Sequence, residues 1–276
     1  MKYMTFNSSC SYAGLANLLS LHGIDTEDRT IALEMHLPYL FSKENGQYLS
    51  GPMLQSAQWF NLYLHPIGFT LKEYQISREK VCSYLQIYPP AMLGLHVTPE
   101  SKHAVICTTY QGGKYHFLNN KHQTSSEPET LYLSESELKS RLDETVIIGV
   151  LEKTLPTHVD FIPYLEQSQA VLRSLRTDIN TFCAKPQVPA AQREALDALF
   201  RPIILDGITM LDLLEKPDLS AVLKTIRTQL LNVISSVRPA VLEREINLPL
   251  LNTAISSYID IIKDHQQYIT QTGANQ

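Results

Sequence analysis

A cysteine stands among small polar residues in Asn7-Ser8-Ser9-Cys10-Ser11-Tyr12, and a helical run begins directly after it. Asn7, Ser8 and Ser9 are all good N-cap residues, so Cys10 is expected in the first turn of that helix. Backbone N–H groups without intrahelical partners lie there, at the positive end of the helix dipole. Both favour thiolate over thiol and predict a depressed Cys10 pKa, and the same N–H groups suit an oxyanion. The plain alternative is a half-buried cysteine that happens to follow a cap. A thiol nucleophile needs a base, and the base needs an orienter. His103 opens the apolar run HAVICTTY, and Asn119-Asn120 close the next run, KYHFLNN, beyond Gln111-Gly112-Gly113. With a three-residue loop Val105 lies opposite Asn119, which puts His103 and Asn119 diagonally on one face. With a two-residue Gly-Gly turn the register slips by one and Asn120 takes that face. The turn alone leaves both open. The catalytic candidates are Cys10, His103 and Asn119, with Asn7 and Asn120 as secondary candidates, Asn7 for an oxyanion.

The elements that must position these residues follow from periodicity. Ala13, Leu15, Ala16, Leu18, Leu19 and His22 recur at helical spacing until Gly23, and further helices are expected at 53–62 and 77–86. Strands are expected at 91–97, 103–110, 114–120 and 145–152, with a short helix before the last whose Ser134 and Glu137 are spaced as a capping box. Residues 39–52 read as a long loop, and Trp59 and Phe60 as core. From about 155 onward no strand is expected. Helical periods fill 163–182, 190–199, 203–214, 219–237 and 248–269, punctuated by prolines, and stripes such as Leu223, Ile226, Leu230 and Ile234 have core spacing. The reading is an α+β domain over 1–153, with the Cys helix packed on an antiparallel sheet, followed by an all-α bundle over 154–276.

Cys82, Cys107 and Cys183 lie inside apolar segments and read as core. His96, His103, Cys107, His116 and His122 lie near the hairpin, but no HExxH or CxxC spacing is present. No metal and no cofactor is expected. A net charge of -5 gives no electrostatic case for nucleic acid or an anionic membrane, and no run approaches the length of a membrane span. Sparse, unpaired cysteines and the lack of a signal-peptide pattern point to a reducing cytoplasm.

The candidate site resembles that of the papain-like cysteine peptidases, above all the bacteriocin-leader peptidase branch. That branch shows a Cys helix, a His-x-Val-Val strand and a following strand ending in Asp-Pro. His103-Ala104-Val105-Ile106 matches the histidine strand, and Phe117-Leu118-Asn119-Asn120 lines up with the Asp-Pro strand, so the resemblance puts Asn119 at the orienter position. The stretch SCSYAGLANLLSLHGIDTEDRTIALEMHLPYLF is also similar to the N-terminal domain of the butirosin-biosynthesis acyltransferase family, a papain-like Cys-His fold used for acyl transfer. The resemblance covers about residues 1–152. Ser11-Tyr12 stands where the leader peptidases have Gly-Pro, and Met4 where they have the oxyanion Gln six positions before the cysteine. Asn119 stands for their Asp, as in papain itself. The resemblance implies a bacterial protein with thiol-dependent acyl chemistry on a peptide, amide or acyl-thioester, by hydrolysis or transfer. The alternative is a catalytically inactive papain-like domain that binds a partner. A homodimer through the striped helical half is a further expectation.

Overall fold

The computed structural model describes residues 1–7, 9–99 and 101–273. Ser8, one of the three cap candidates, therefore lies outside the described residues. Two compact units form: Met1–Met35 with Gln55–Val159, and His36–Leu54 with Asp160–Gln276. The segment His36–Leu54, which the sequence grammar groups with the first half, belongs to the second unit.

The first unit contains α1 (Ser11–Ser20) and α2 (Asp28–Glu34). The chain then contributes the hairpin β1 (Phe41–Glu44) and β2 (Gln47–Ser50) to the second unit before it returns. The first unit continues with α3 (Ala57–Leu64), β3 (Phe69–Ser77), α4 (Arg78–Ile87), β4 (Ala91–Thr98), β5 (Ser101–Gln111), β6 (Lys114–Asn119), β7 (Thr130–Leu133), α5 (Glu135–Ser140) and β8 (Thr145–Lys153). Its strands form one antiparallel sheet in the order β3-β8-β4-β5-β6-β7. The unit is α+β, as the mixed periodicities imply. Strands β3 and β7 are additions to the four expected. Lys72, Glu73, Tyr74 and Gln75 of the edge strand β3 are exposed, so its apolar alternation is too faint to read.

Helices α4 and α5 cover the sheet with Val81, Leu85 and Leu138 against Leu93, Val105, Phe117 and Ile148, all buried. Each such side chain contributes roughly 1.5–3 kcal/mol by leaving water. Helix α1 packs against β4 and β5. It is not half-exposed: every residue from Tyr12 to Leu19 is buried, Gly14 and Asn17 included. Trp59 and Phe60 are core residues, as expected.

The β5–β6 hairpin turns on Gly112 and Gly113, whose φ of 60° and 77° suit a two-residue turn between Gln111 and Lys114. A β-bulge then leaves Thr108 unpaired between Cys107 and Thr109. The bulge restores the residue that the short turn removed, and Val105 faces Asn119.

In the second unit the segment 39–52 is not a loop. Asn45 and Gly46, both at positive φ, form the turn between β1 and β2, a signal present in the sequence as Asn-Gly. Then come α6 (Ile162–Cys183), the short β9 (Pro186–Gln187), α7 (Pro189–Ala195), a π-turn at Leu196–Phe200, α8 (Arg201–Ile204), α9 (Asp206–Leu213), α10 (Pro217–Ser235), β10 (Ala240–Val241) and α11 (Leu248–Gly273). Prolines at 163, 189, 202 and 217 sit in the first turns of their helices, where no N–H is missed. Leu165, Leu172, Leu175 and Ile179 of α6, Leu223, Ile226, Leu230 and Val233 of α10, and Leu251, Ile255, Tyr258 and Ile262 of α11 are buried. Val233 rather than Ile234 completes the α10 stripe. Among the described residues no helix is long and apolar enough to cross a membrane.

The Ser134–Glu137 capping box forms in full, with Ser134 accepting from the Glu137 N–H and the Glu137 carboxylate accepting from the Ser134 N–H. Ser134→Ala is expected to lower stability by about 1 kcal/mol. Urea titration checks this as a lower midpoint at unchanged slope.

Candidate active site

The register of β5 and β6 decides the geometry. Pairing between them ends at Val105 and Asn119, one residue short of Ala104, whose N–H and C=O meet side chains instead. The Ala104 N–H donates to Cys10 Sγ at 3.0 Å, and the Ala104 carbonyl accepts from Asn120 Nδ2. Asn120 Oδ1 in turn accepts from Asn17 Nδ2 of α1 at 2.8 Å. Asn17 is itself held by Lys2, whose N–H donates to Oδ1 at 2.7 Å and whose carbonyl accepts from Nδ2 at 2.8 Å. Asn120, fully buried, thus ties the cysteine helix to the histidine strand. Gly14 makes the room: a Cβ there would lie 2.8 Å from both Asn120 Nδ2 and Met92 Sδ.

Cys10 is the N-cap of α1 with helical backbone angles, and it is half-buried, whereas Cys82, Cys107 and Cys183 are buried in the cores. The expected depression of its pKa is overturned. Burial pushes the Cys10 thiol up, and this outweighs the hydrogen bonds from the N–H groups of Ala104 and Cys10, which pull it down. The Glu127 carboxylate adds a smaller upward push. Burial drives the Cys107 and Cys183 thiols up to about 12.

His103 Nδ1 lies 2.9 Å from Asn119 Oδ1 and 3.5 Å from Glu127 Oε2. Two oxygen acceptors at one ring nitrogen assign the proton to Nδ1 and leave the Nε2 lone pair able to accept another. Asn119 is fixed by its own donation to the Pro128 carbonyl at 2.9 Å. The Glu127 carboxylate is steadied by the Ser101 hydroxyl at 3.0 Å, and Lys121 closes the loop by donating to the carbonyls of Ser125 and Glu127. The two asparagines therefore divide the work: Asn119 meets the imidazole and Asn120 joins the two elements.

Cys10, His103 and Ala104 line a cavity of about 490 Å³. It runs over Met92, Gly94 and Gly149 to Glu73 on β3, and Asn7, Met4 and Gln55 also line it. Asn7, the secondary oxyanion candidate, makes no hydrogen bond to a described residue. The histidines near the hairpin go elsewhere: His96 to Asp143, His116 edge-on to Tyr132, and His122 to the Met4 carbonyl. Among the described residues no three His, Cys, Asp or Glu side chains group as metal ligands would. Sequence reasoning missed Glu127, Asn17 and Gln55. A glycine and an asparagine inside an otherwise apolar helix were the available signs of the clamp.

No protein-family model matches the chain, and no curated protein matches it. Among solved structures it is similar to a double glycine motif protease from an AMS/PCAT transporter, determined in complex with the leader peptide. The identity is 12%, the match covers 55% of this chain and 89% of that one, and the TM-score is 0.37. The first unit itself is an α+β unit whose cysteine-bearing helix packs on an antiparallel sheet.

Asn120→Ala removes the donor to Ala104 and the acceptor for Asn17, and is expected to cost roughly 1–3 kcal/mol. Gly14→Ala should cost about 1–3 kcal/mol by overpacking. Because the two side chains compete for one space, the double variant is expected to lose less stability than the sum, a coupling that urea titration of all four proteins measures.

Proposed function

We propose that the first unit is a papain-like thiol enzyme that makes and breaks acyl bonds, with Cys10 as nucleophile, His103 as base and Asn119 as orienter. The observation that carries this reading is one cavity lined by both Cys10 and His103, the imidazole held through Nδ1 by Asn119. Nε2 of His103 accepts the thiol proton, and the thiolate attacks an amide, ester or thioester carbonyl. The tetrahedral oxyanion collapses to a thioester on Cys10 as His103 returns the proton to the departing amine, alcohol or thiol. Water or an amine then attacks the acyl-enzyme, which makes the reaction a hydrolysis or a transfer. Burial holds a lone Cys10 thiol protonated, so in this scheme the thiolate forms only as His103 becomes the imidazolium that balances its charge.

The inactive binding domain draws support from Met4 at the usual oxyanion Gln and from the burial of Cys10. The pH dependence of iodoacetamide alkylation separates the two, with the modified cysteine located by mass spectrometry. The wild type is expected to alkylate at Cys10 well below pH 8.5, through the ion pair. In His103→Ala the rate should follow one apparent pKa above the ordinary thiol value, about 100-fold slower at pH 6.5. Asn119→Ala should fall between them. A wild type that titrates like His103→Ala would favour the inactive domain.

A further inference from the structure

The cavity holds one amide that the scheme above does not use. Gln55 precedes α3 in the chain and lines the cavity with Cys10, His103 and Ala104. Its Oε1 accepts two hydroxyl hydrogen bonds, from Ser9 at 2.6 Å and from Ser11 at 2.9 Å, the residues on either side of Cys10. The Ser9 oxygen already accepts the Ser11 N–H at 3.2 Å, so its own proton is the one given to Gln55. Two donors on one carbonyl oxygen fix the plane of the amide and the direction of its NH2 group. That NH2 group makes no hydrogen bond to any described residue.

A neutral donor on an exposed side chain, held in place on the cavity that Cys10 lines and with no acceptor among the described residues, suits an oxygen that becomes negative during attack. Met4 and Asn7, which also line the cavity, do not meet this requirement. Met4 offers no donor, and no described residue orients Asn7. We infer that Gln55 is a catalytic residue of the acyl-transfer reaction proposed above, on which this inference rests: its Nε2–H donates, together with the Cys10 N–H, to the oxyanion formed when Cys10 attacks a carbonyl. The chain thus supplies from the approach to α3 the amide that Met4 cannot. The serines at 9 and 11 become positioning residues, and the role of Ser11 explains a hydroxyl directly after the nucleophile.

Two reactions at the same sulfur test this. Acylation by p-nitrophenyl acetate passes through a tetrahedral oxyanion, and alkylation by iodoacetamide does not. Both are followed on the wild type, Gln55→Ala and Gln55→Met, the last keeping length without a donor or a charge. The expected result is acylation of Cys10 slowed roughly 10²-fold in both variants, with alkylation unchanged. Unchanged acylation overturns the inference, and so does equal slowing of both reactions, which would make Gln55 a prop for the thiol. A wild type that is alkylated but never acylated at Cys10 contradicts the acyl-transfer reading itself and this inference with it.

Discussion

One residue's main-chain groups carry the site. The strand β6 stops pairing with β5 at Asn119, and Ala104 is left with an N–H and a C=O that a folded protein cannot leave unmet. The N–H goes to the sulfur of Cys10 and the carbonyl to the amide of Asn120. Those two bonds set where α1 begins relative to the histidine strand. They also explain why α1 contains a glycine and a buried asparagine at positions where an ordinary core helix would carry apolar side chains. A Thr108 bulge some residues away is part of the same constraint, because without it Asn120, not Asn119, would face Val105.

The electrostatics follow from that seating. Sulfur drawn into the fold loses solvation, and this outweighs the two N–H groups that favour its charge. A helix start alone does not make this thiol acidic. In the proposed reaction the proton leaves to the imidazole of His103, whose other nitrogen meets Asn119 and Glu127. Glu127 adds a negative charge that opposes a lone thiolate, yet would be balanced once the imidazole is cationic. An unpaired thiolate and an ion pair are therefore favoured by opposite features of the same pocket.

Much of this could be read from residue types. Cys10 before a helix, His103 near the start of a strand, and two asparagines at the end of the next are local features, and so are the prolines that start the long helices. Choosing between the asparagines was not local. It depended on a bulge that no residue type announces, since Thr108 is an ordinary strand residue. The hairpin at 39–52 was legible in Asn45-Gly46, but its flanking strands are too short and too polar to show a period. Strand β3 was hidden because it is exposed along most of its length. Gln55 and Glu127 were invisible because only tertiary packing brings them to Ser9, Ser11 and His103, far from them in the sequence.

In the proposed reaction Cys10 carries an acyl group during turnover. The most direct measurement is peptide mapping by mass spectrometry after the whole protein has been incubated with a simple acetyl-thioester at neutral pH. The expected result is an acetyl increment on Cys10 alone, absent in Cys10→Ser, strongly reduced in His103→Ala, and discharged when an amine is added. No increment on Cys10, or one spread over the four cysteines and indifferent to His103, would contradict it.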